Sequence, residues 1–137
     1  MNEKKNILVV DDDIDLLEQV ALVMEAEGHR VVRAQGQKEG EEALLTTIPD
    51  LAILDLMMEN MDSGFVLCHH VKRLYPGTPV ILLTAVKAAT GLDFQPQSDE
   101  AASWVKADVV MDKPVRPEQL RNESRRLLGI APAVARH

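Results

Sequence analysis

Short apolar runs alternate with segments of helical periodicity along most of the chain, and this alternation constrains the fold more than any other feature. A continuous apolar run of four or five residues is typical of a strand buried on both faces, as in a parallel sheet covered by helices. We predict five strands, at residues 6–10, 30–34, 51–54, 79–83 and 109–111.

The segments between these runs carry helical patterns. In the first of them, Gly28 is a natural C-terminal stop, and four apolar residues recur at the spacing of one helix face: Leu17, Val20, Ala21 and Met24. Ser63 is expected to cap the third helix and to be followed by a buried face of Leu67, Val71 and Leu74. The predicted helices are 13–27, 37–47, 63–75 and 117–128, with a loop and a short helix (99–105) inside the long segment 86–107.

Repeated strand–helix units predict an α/β fold, a parallel sheet with helices on both faces. The 137 residues fit one domain, and the net charge of −7 argues against nucleic acid as a direct partner, because phosphate binding relies on Lys and Arg. The single cysteine, Cys68, cannot form an internal disulfide. No apolar run is long enough to span a membrane. We therefore expect a cytoplasmic protein without a membrane partner.

Reactive side chains stand at the ends of four predicted strands. Three aspartates (11–13) follow the first strand, Asp55 the third, Thr84 the fourth and Lys113 the fifth. The carboxyl ends of parallel strands meet at one edge of the sheet, so these groups are expected to converge. Clustered carboxylates suit Mg²⁺, and an Asp beside such a cation can act as a nucleophile toward phosphorus.

The four motifs ILVVDDD, AILDLMM, ILLTA and MDKPV together resemble the receiver domain of two-component response regulators. The resemblance covers about residues 5–128. It implies a flavodoxin-like (βα)₅ receiver fold with a five-stranded parallel sheet of order 2-1-3-4-5. The receiver domain would then occupy residues 1–129, followed by a short disordered tail, 130–137.

The resemblance also implies roles at the acidic edge. Asp55 matches the phosphoacceptor. Asp12 matches a direct Mg²⁺ ligand, Asp11 a residue acting mainly through water, and the backbone carbonyl of Met57 the third protein ligand. Asp13 is then no ligand, and its expected role is to cap the first helix.

Two further positions are assigned by the same resemblance. Thr84 matches the switch hydroxyl that turns toward the phosphoryl group. Lys113 matches the lysine that pairs with that group, and a cis peptide between Lys113 and Pro114 is common in the family.

The implied function is a phosphorylation-controlled signalling receiver, not an enzyme acting on a separate substrate. It would accept a phosphoryl group from the phosphohistidine of a sensor histidine kinase or phosphotransfer protein, and later hydrolyse it. Because no effector domain follows in this chain, output is expected by contact with an unknown downstream protein. The face of the fourth and fifth helices of the family, here the predicted helices 99–105 and 117–128, could also support a homodimer.

Three departures from the family pattern stand out, and the first two motivate an alternative, a binding module that no longer cycles phosphate. Glu59 stands where a proline is usual, with one extra residue before Gly64. Val110 replaces a common aromatic residue, and the stretch between Thr84 and Lys113 is longer than usual.

Two other classes of protein fit less well. A Mg²⁺ phosphatase could use Asp11 and Asp13 as a DxD pair, but it would need a substrate cap and more chain. A flavin or nucleotide binder would carry a loop rich in Gly, Ser or Thr after the first strand, where this chain has carboxylates.

Overall fold

The computed structural model describes residues 4–58, 60, 62–84 and 107–130. We number the described elements in chain order. They are β1 (Asn6–Val10), α1 (Ile14–Ala26), β2 (Arg30–Ala34), α2 (Gln37–Thr46), β3 (Leu51–Asp55), α3 (Ser63–Leu74), β4 (Val80–Thr84), β5 (Val109–Asp112) and α4 (Pro117–Leu128).

The five strands form one parallel sheet in the order β2-β1-β3-β4-β5. This confirms the predicted α/β class, the parallel pairing and the strand order. Chain order reverses between β1 and β3, which places the open crevice of the sheet at the carboxyl ends of those two strands.

Each face of the sheet packs against a separate hydrophobic core. Alternate residues of a strand point to opposite faces, so Ile7 and Val9 join a core with α1 and α4, whereas Leu8 and Val10 join a core with α2 and α3. The helices therefore cover both faces, as predicted. This explains why the central strands, β1, β3 and β4, are nearly continuous apolar runs without polar alternation.

Helix α1 begins at Ile14, one residue after the start predicted from the sequence. Asp13 is the N-cap, and its Oδ1 accepts hydrogen bonds from the backbone N–H groups of Asp15 (3.0 Å) and Leu16 (3.2 Å), which confirms the predicted cap. The four apolar positions that predicted the buried face are all buried: Leu17, Val20, Ala21 and Met24.

Two details of α3 differ from the prediction. The N-cap position is occupied by Asp62, and Ser63 is the first helical residue, with its hydroxyl bonded to the preceding loop instead of to the helix. Leu74 is 47% exposed because it lies at the end of the helix, where it lines an open groove with Leu45 of α2. Leu67 and Val71 are fully buried, as predicted.

Three expectations fall outside the described residues: the short helix at 99–105, the effect of Glu59, and the disordered tail beyond residue 130. Among the helices that the structure describes, none combines the length and apolar character needed to cross a bilayer.

Candidate functional site

The ends of four adjacent strands bring the predicted site residues to one edge of the sheet. Asp55 and Thr84 are the last residues of β3 and β4, so each of these strands ends one residue later than predicted. Asp11 directly follows β1, and its N–H continues the sheet ladder by donating to the Ala34 carbonyl (3.1 Å). Lys113 directly follows β5, and its N–H donates to the Thr84 carbonyl (2.8 Å).

Three carboxylates meet at this edge. Asp11, Asp12 and Asp55 each offer one oxygen, and these oxygens all lie within 4.8 Å of one another. Asp11 and Asp55 are 1% and 4% exposed, whereas Asp12 is open to solvent. Buried carboxylates at this spacing repel one another unless a cation lies between them.

The two oxygens of Asp11 have different surroundings. Oδ1 accepts a hydrogen bond from the backbone N–H of Asp13 (2.9 Å). Oδ2 is buried without a hydrogen-bond partner and lies 3.5 Å from Nζ of Lys113, an ion-pair distance. A buried oxygen lacking a donor is one that a metal ion would satisfy, and a set of hard oxygen donors fits Mg²⁺.

Lys113 provides the positive charge of the site. Its Nζ lies 3.0 Å from Oδ1 of Asp55, and its side chain is largely buried. The peptide bond between Lys113 and Pro114 is cis. The ammonium group therefore lies beside the buried carboxylate of Asp55.

Burial and mutual repulsion shift the titration of this cluster. Burial is the main cause that raises the pKa of Asp11 to about 6, with a smaller contribution from the charge of Asp55. Burial also raises the pKa of Asp55, against the lowering effect of its hydrogen bond to Lys113. For Lys113, burial lowers the pKa, but the hydrogen bond to Asp55 and the charges of both aspartates outweigh it, so the net shift is upward.

The other predicted site residues lie at or just beyond the ends of β3 and β4. Thr84 is 2% exposed. Met57 is 41% exposed and lies two residues beyond the end of β3. Val110, on β5, is 44% exposed and offers no aromatic ring beside the site.

Ser63 and Gly64, at the start of α3, had no predicted role at the site. A Cβ atom on Gly64 would lie only 2.5 Å from both the Asp55 carbonyl oxygen and Cα of Leu56, so the helix start packs directly against the end of β3. The only hint in the sequence was the Ser-Gly pair that opens the helix.

The model of the response regulator receiver domain family matches residues 7–125. The chain therefore belongs to the response regulator receiver domains, the phosphoacceptor class of two-component signalling, whose acidic pocket binds Mg²⁺. The fold, the strand order and the acidic edge are those expected of this class.

Curated relatives are transcriptional regulators. A probable transcriptional regulator of Cyanophora paradoxa, ycf27, is 34% identical over 134 residues, covering 91% of this chain and 48% of that protein. The transcriptional regulatory protein GlrR of Escherichia coli is 42% identical over 80 residues, covering 58% of this chain and 18% of that protein. The chain thus spans at most about half the length of these relatives.

Solved structures match over nearly the whole chain. The CheY-like receiver domain protein of Methanospirillum hungatei is 28% identical, with a TM-score of 0.76 over 93% of this chain and 95% of that chain. The chemotaxis response regulator CheY4 of Vibrio cholerae is 25% identical, with a TM-score of 0.75 over 91% and 99% of the two chains.

Proposed function

We propose that Asp55 accepts a phosphoryl group from the phosphohistidine of a sensor histidine kinase or phosphotransfer protein. One observation carries the proposal: the Asp55 carboxylate is buried at a strand end, 3.0 Å from the Lys113 ammonium and clustered with Asp11 and Asp12. Burying carboxylates this close together costs free energy, and such an arrangement is more typical of a functional site than of a purely structural one.

The transfer is a substitution at phosphorus. A carboxylate oxygen of Asp55 forms the new P–O bond while the P–N bond to the donor imidazole breaks, and the departing nitrogen keeps the electron pair. The Lys113 ammonium and the Thr84 hydroxyl bind the phosphoryl oxygens as charge builds on them. Hydrolysis reverses the modification, because attack by water on phosphorus restores the Asp55 carboxylate and releases inorganic phosphate.

Asp11, Asp12, Asp55 and the Met57 backbone carbonyl are the groups that would hold Mg²⁺. When bound, the ion offsets the charge of the carboxylates and of the incoming phosphoryl oxygens. The buried Oδ2 of Asp11, which accepts no hydrogen bond, supports this assignment. Asp12, the exposed member of the cluster, would ligate Mg²⁺ directly, and its exposure means that its charge carries little burial cost.

We further propose that the signal passes by protein contact in the cytoplasm. The curated relatives are named as transcriptional regulators, and they are longer than this chain. The proposed output of this chain is contact with a downstream protein, without direct binding to DNA, in keeping with its net charge of −7.

The test is intact-mass measurement after incubation with a small-molecule phosphodonor and Mg²⁺. We expect a phosphate-sized gain that disappears in Asp55→Asn and in excess chelator. Asp50→Asn is a matched control, since Asp50 is an exposed aspartate directly before β3 whose carboxylate accepts a hydrogen bond from the Asn6 N–H (2.8 Å). This variant should retain the mass gain.

The absence of a gain in the wild-type protein, with a donor shown to phosphorylate another receiver, would overturn the proposal. It would favour the alternative, a receiver-fold binding module that no longer cycles phosphate. Val110 motivates that alternative, because a valine cannot act as the aromatic switch residue common in the family.

A further inference from the structure

Hydrogen bonds join the described residues of the connection between β3 and α3 to the start of α3. The Gly64 N–H donates to the Leu56 carbonyl (2.7 Å), which ties the helix to the residue directly after Asp55. At the far end of the loop, the Asn60 N–H donates to Oγ of Ser63 (2.9 Å), and the Ser63 N–H donates back to the Asn60 carbonyl (3.2 Å). Ser63 is fully buried.

The same Asn60 carbonyl accepts a second hydrogen bond, from the Met58 N–H (3.2 Å). This N–H belongs to the peptide unit whose carbonyl is that of Met57. A peptide unit is planar, and in the usual trans form its carbonyl points away from its N–H. Fixing the Met58 N–H therefore also fixes the direction of the Met57 carbonyl.

These hydrogen bonds connect the Ser63 side chain to the proposed metal ligand, the Met57 carbonyl. The Ser63 hydroxyl holds Asn60, Asn60 holds the Met58 N–H, and the Met58 N–H sets the Met57 carbonyl. On the other side of Met57, Leu56 is held at both its backbone groups, by the Leu83 carbonyl (2.8 Å) and by Gly64. Met57 thus lies between two fixed neighbours.

We propose that Ser63 is a positioning residue for the Mg²⁺ site, acting through Asn60 on the Met57 carbonyl. The inference rests on the proposed function, in which that carbonyl is a ligand. Groups that orient a ligand without touching the metal commonly change metal affinity by about ten-fold or more. Asn60 is exposed, so without the Ser63 hydroxyl water would compete for its N–H and the loop would lose this constraint.

The test compares Ser63→Ala with Ser124→Ala. Ser124 is also fully buried, and its hydroxyl also bonds to the backbone, donating to the Arg121 carbonyl (3.0 Å) within α4. Both variants lose one buried hydroxyl, so both are expected to lose some stability in urea. We expect only Ser63→Ala to weaken Mg²⁺ binding in calorimetric titration, by roughly ten-fold.

Amide hydrogen exchange in the metal-free protein gives a second readout. We expect the Asn60 and Met58 amides to be protected in the wild type and in Ser124→Ala, and to exchange faster in Ser63→Ala. Should Ser63→Ala fail to fold, the wild type decides: an unprotected Asn60 amide would overturn the proposal, and a protected one would support it.

The outcomes separate this inference from the function on which it rests. Wild-type protein that binds no Mg²⁺ would overturn the proposed function itself, and this role with it. If the wild type binds Mg²⁺ and Ser63→Ala binds it with the same affinity, the positioning role of Ser63 is overturned and the proposed function is not affected.

Discussion

Asp11 is nearly inaccessible to solvent, and one of its oxygens has no hydrogen-bond donor. Its pKa is raised from 3.8 to about 6, chiefly by burial, so folding favours the protonated form. The contribution of protonated Asp11 to the free energy of unfolding is fully present below the unfolded pKa of 3.8, and it is lost as the pH rises through about 6. At neutral pH the ionised Asp11 therefore destabilises the metal-free protein.

Replacing Asp11 by Asn removes this charge while keeping an oxygen that can accept from the Asp13 N–H. In chelator at pH 7.5 we expect the free energy of unfolding in urea to rise by about 1 kcal/mol or more. The gain should shrink as the pH falls from 7.5 to 4, because wild-type Asp11 is then protonated. Mg²⁺ affinity should fall at the same time. A gain that stays the same at both pH values would contradict this account of Asp11.

Helix α4 is joined to the end of α1 by an ion pair between Arg125 and Glu27. Nη2 of Arg125 lies 2.8 Å from Oε2 of Glu27, and Nε contacts the other carboxylate oxygen, so the pairing is bidentate. The side chains are only 19% and 10% exposed. On the outer surface of α4, Arg126 pairs with Glu123 at 62% and 29% exposure. Solvent screens this second pair much more strongly.

Glu27→Gln should lower the free energy of unfolding by about 1–2 kcal/mol at pH 7, whereas Glu123→Gln should change it by less than about 0.5 kcal/mol. The hydrogen bond to Arg125 lowers the pKa of Glu27 from 4.5. Its stabilising effect is thus present above 4.5 and is lost as the pH falls below that value. Urea denaturation at pH 7 and 3 measures both effects. Equal decreases in the free energy of unfolding of the two variants would contradict the expectation that the less exposed ion pair stabilises the protein more.

The first turn of α3 approaches the end of β3 so closely that only glycine fits at position 64. A Cβ atom there would meet backbone atoms at 2.5 Å, whereas a Cβ on Gly77, in the turn after α3, would have no atom within 4 Å. We expect Gly64→Ala to destabilise the protein by roughly 1–3 kcal/mol and Gly77→Ala to be nearly neutral. Thermal unfolding of both variants tests this, and a neutral Gly64→Ala would show that the contact is not tight.

The whole-molecule architecture was largely predictable from the sequence, because strands buried on both faces must be continuous apolar runs. The acidic triplet and Lys113 could be placed at one edge for the same reason, since strand ends in a parallel sheet coincide. The hydrogen bond between Ser63 and Asn60 could not be predicted from the sequence, because it depends on the conformation of the loop that precedes α3. The exposure of Leu74 was also not predicted. Helical periodicity predicts which face of α3 is apolar, but not where along the helix the surface that covers this face ends.

Mg²⁺ should stabilise the entire fold if the carboxylate cluster binds it. At a concentration one hundred times its dissociation constant, a ligand of the native state adds about 2.7 kcal/mol to the free energy of unfolding. We expect thermal unfolding to shift upward with Mg²⁺ concentration in the wild type and far less in Asp55→Asn. An equal shift in both, or one reproduced by NaCl at matched ionic strength, would show that the ion acts elsewhere.

The most direct test of the central claim locates the phosphoryl group. Borohydride reduces an aspartyl phosphate to homoserine, which marks the modified residue for peptide mass mapping. After incubation with a small-molecule phosphodonor and Mg²⁺, we predict homoserine at position 55, and none there when either component is omitted. Homoserine at position 11, 12 or 13, or a phosphate-sized mass gain without homoserine at position 55, would contradict the assignment of Asp55 as the phosphoacceptor.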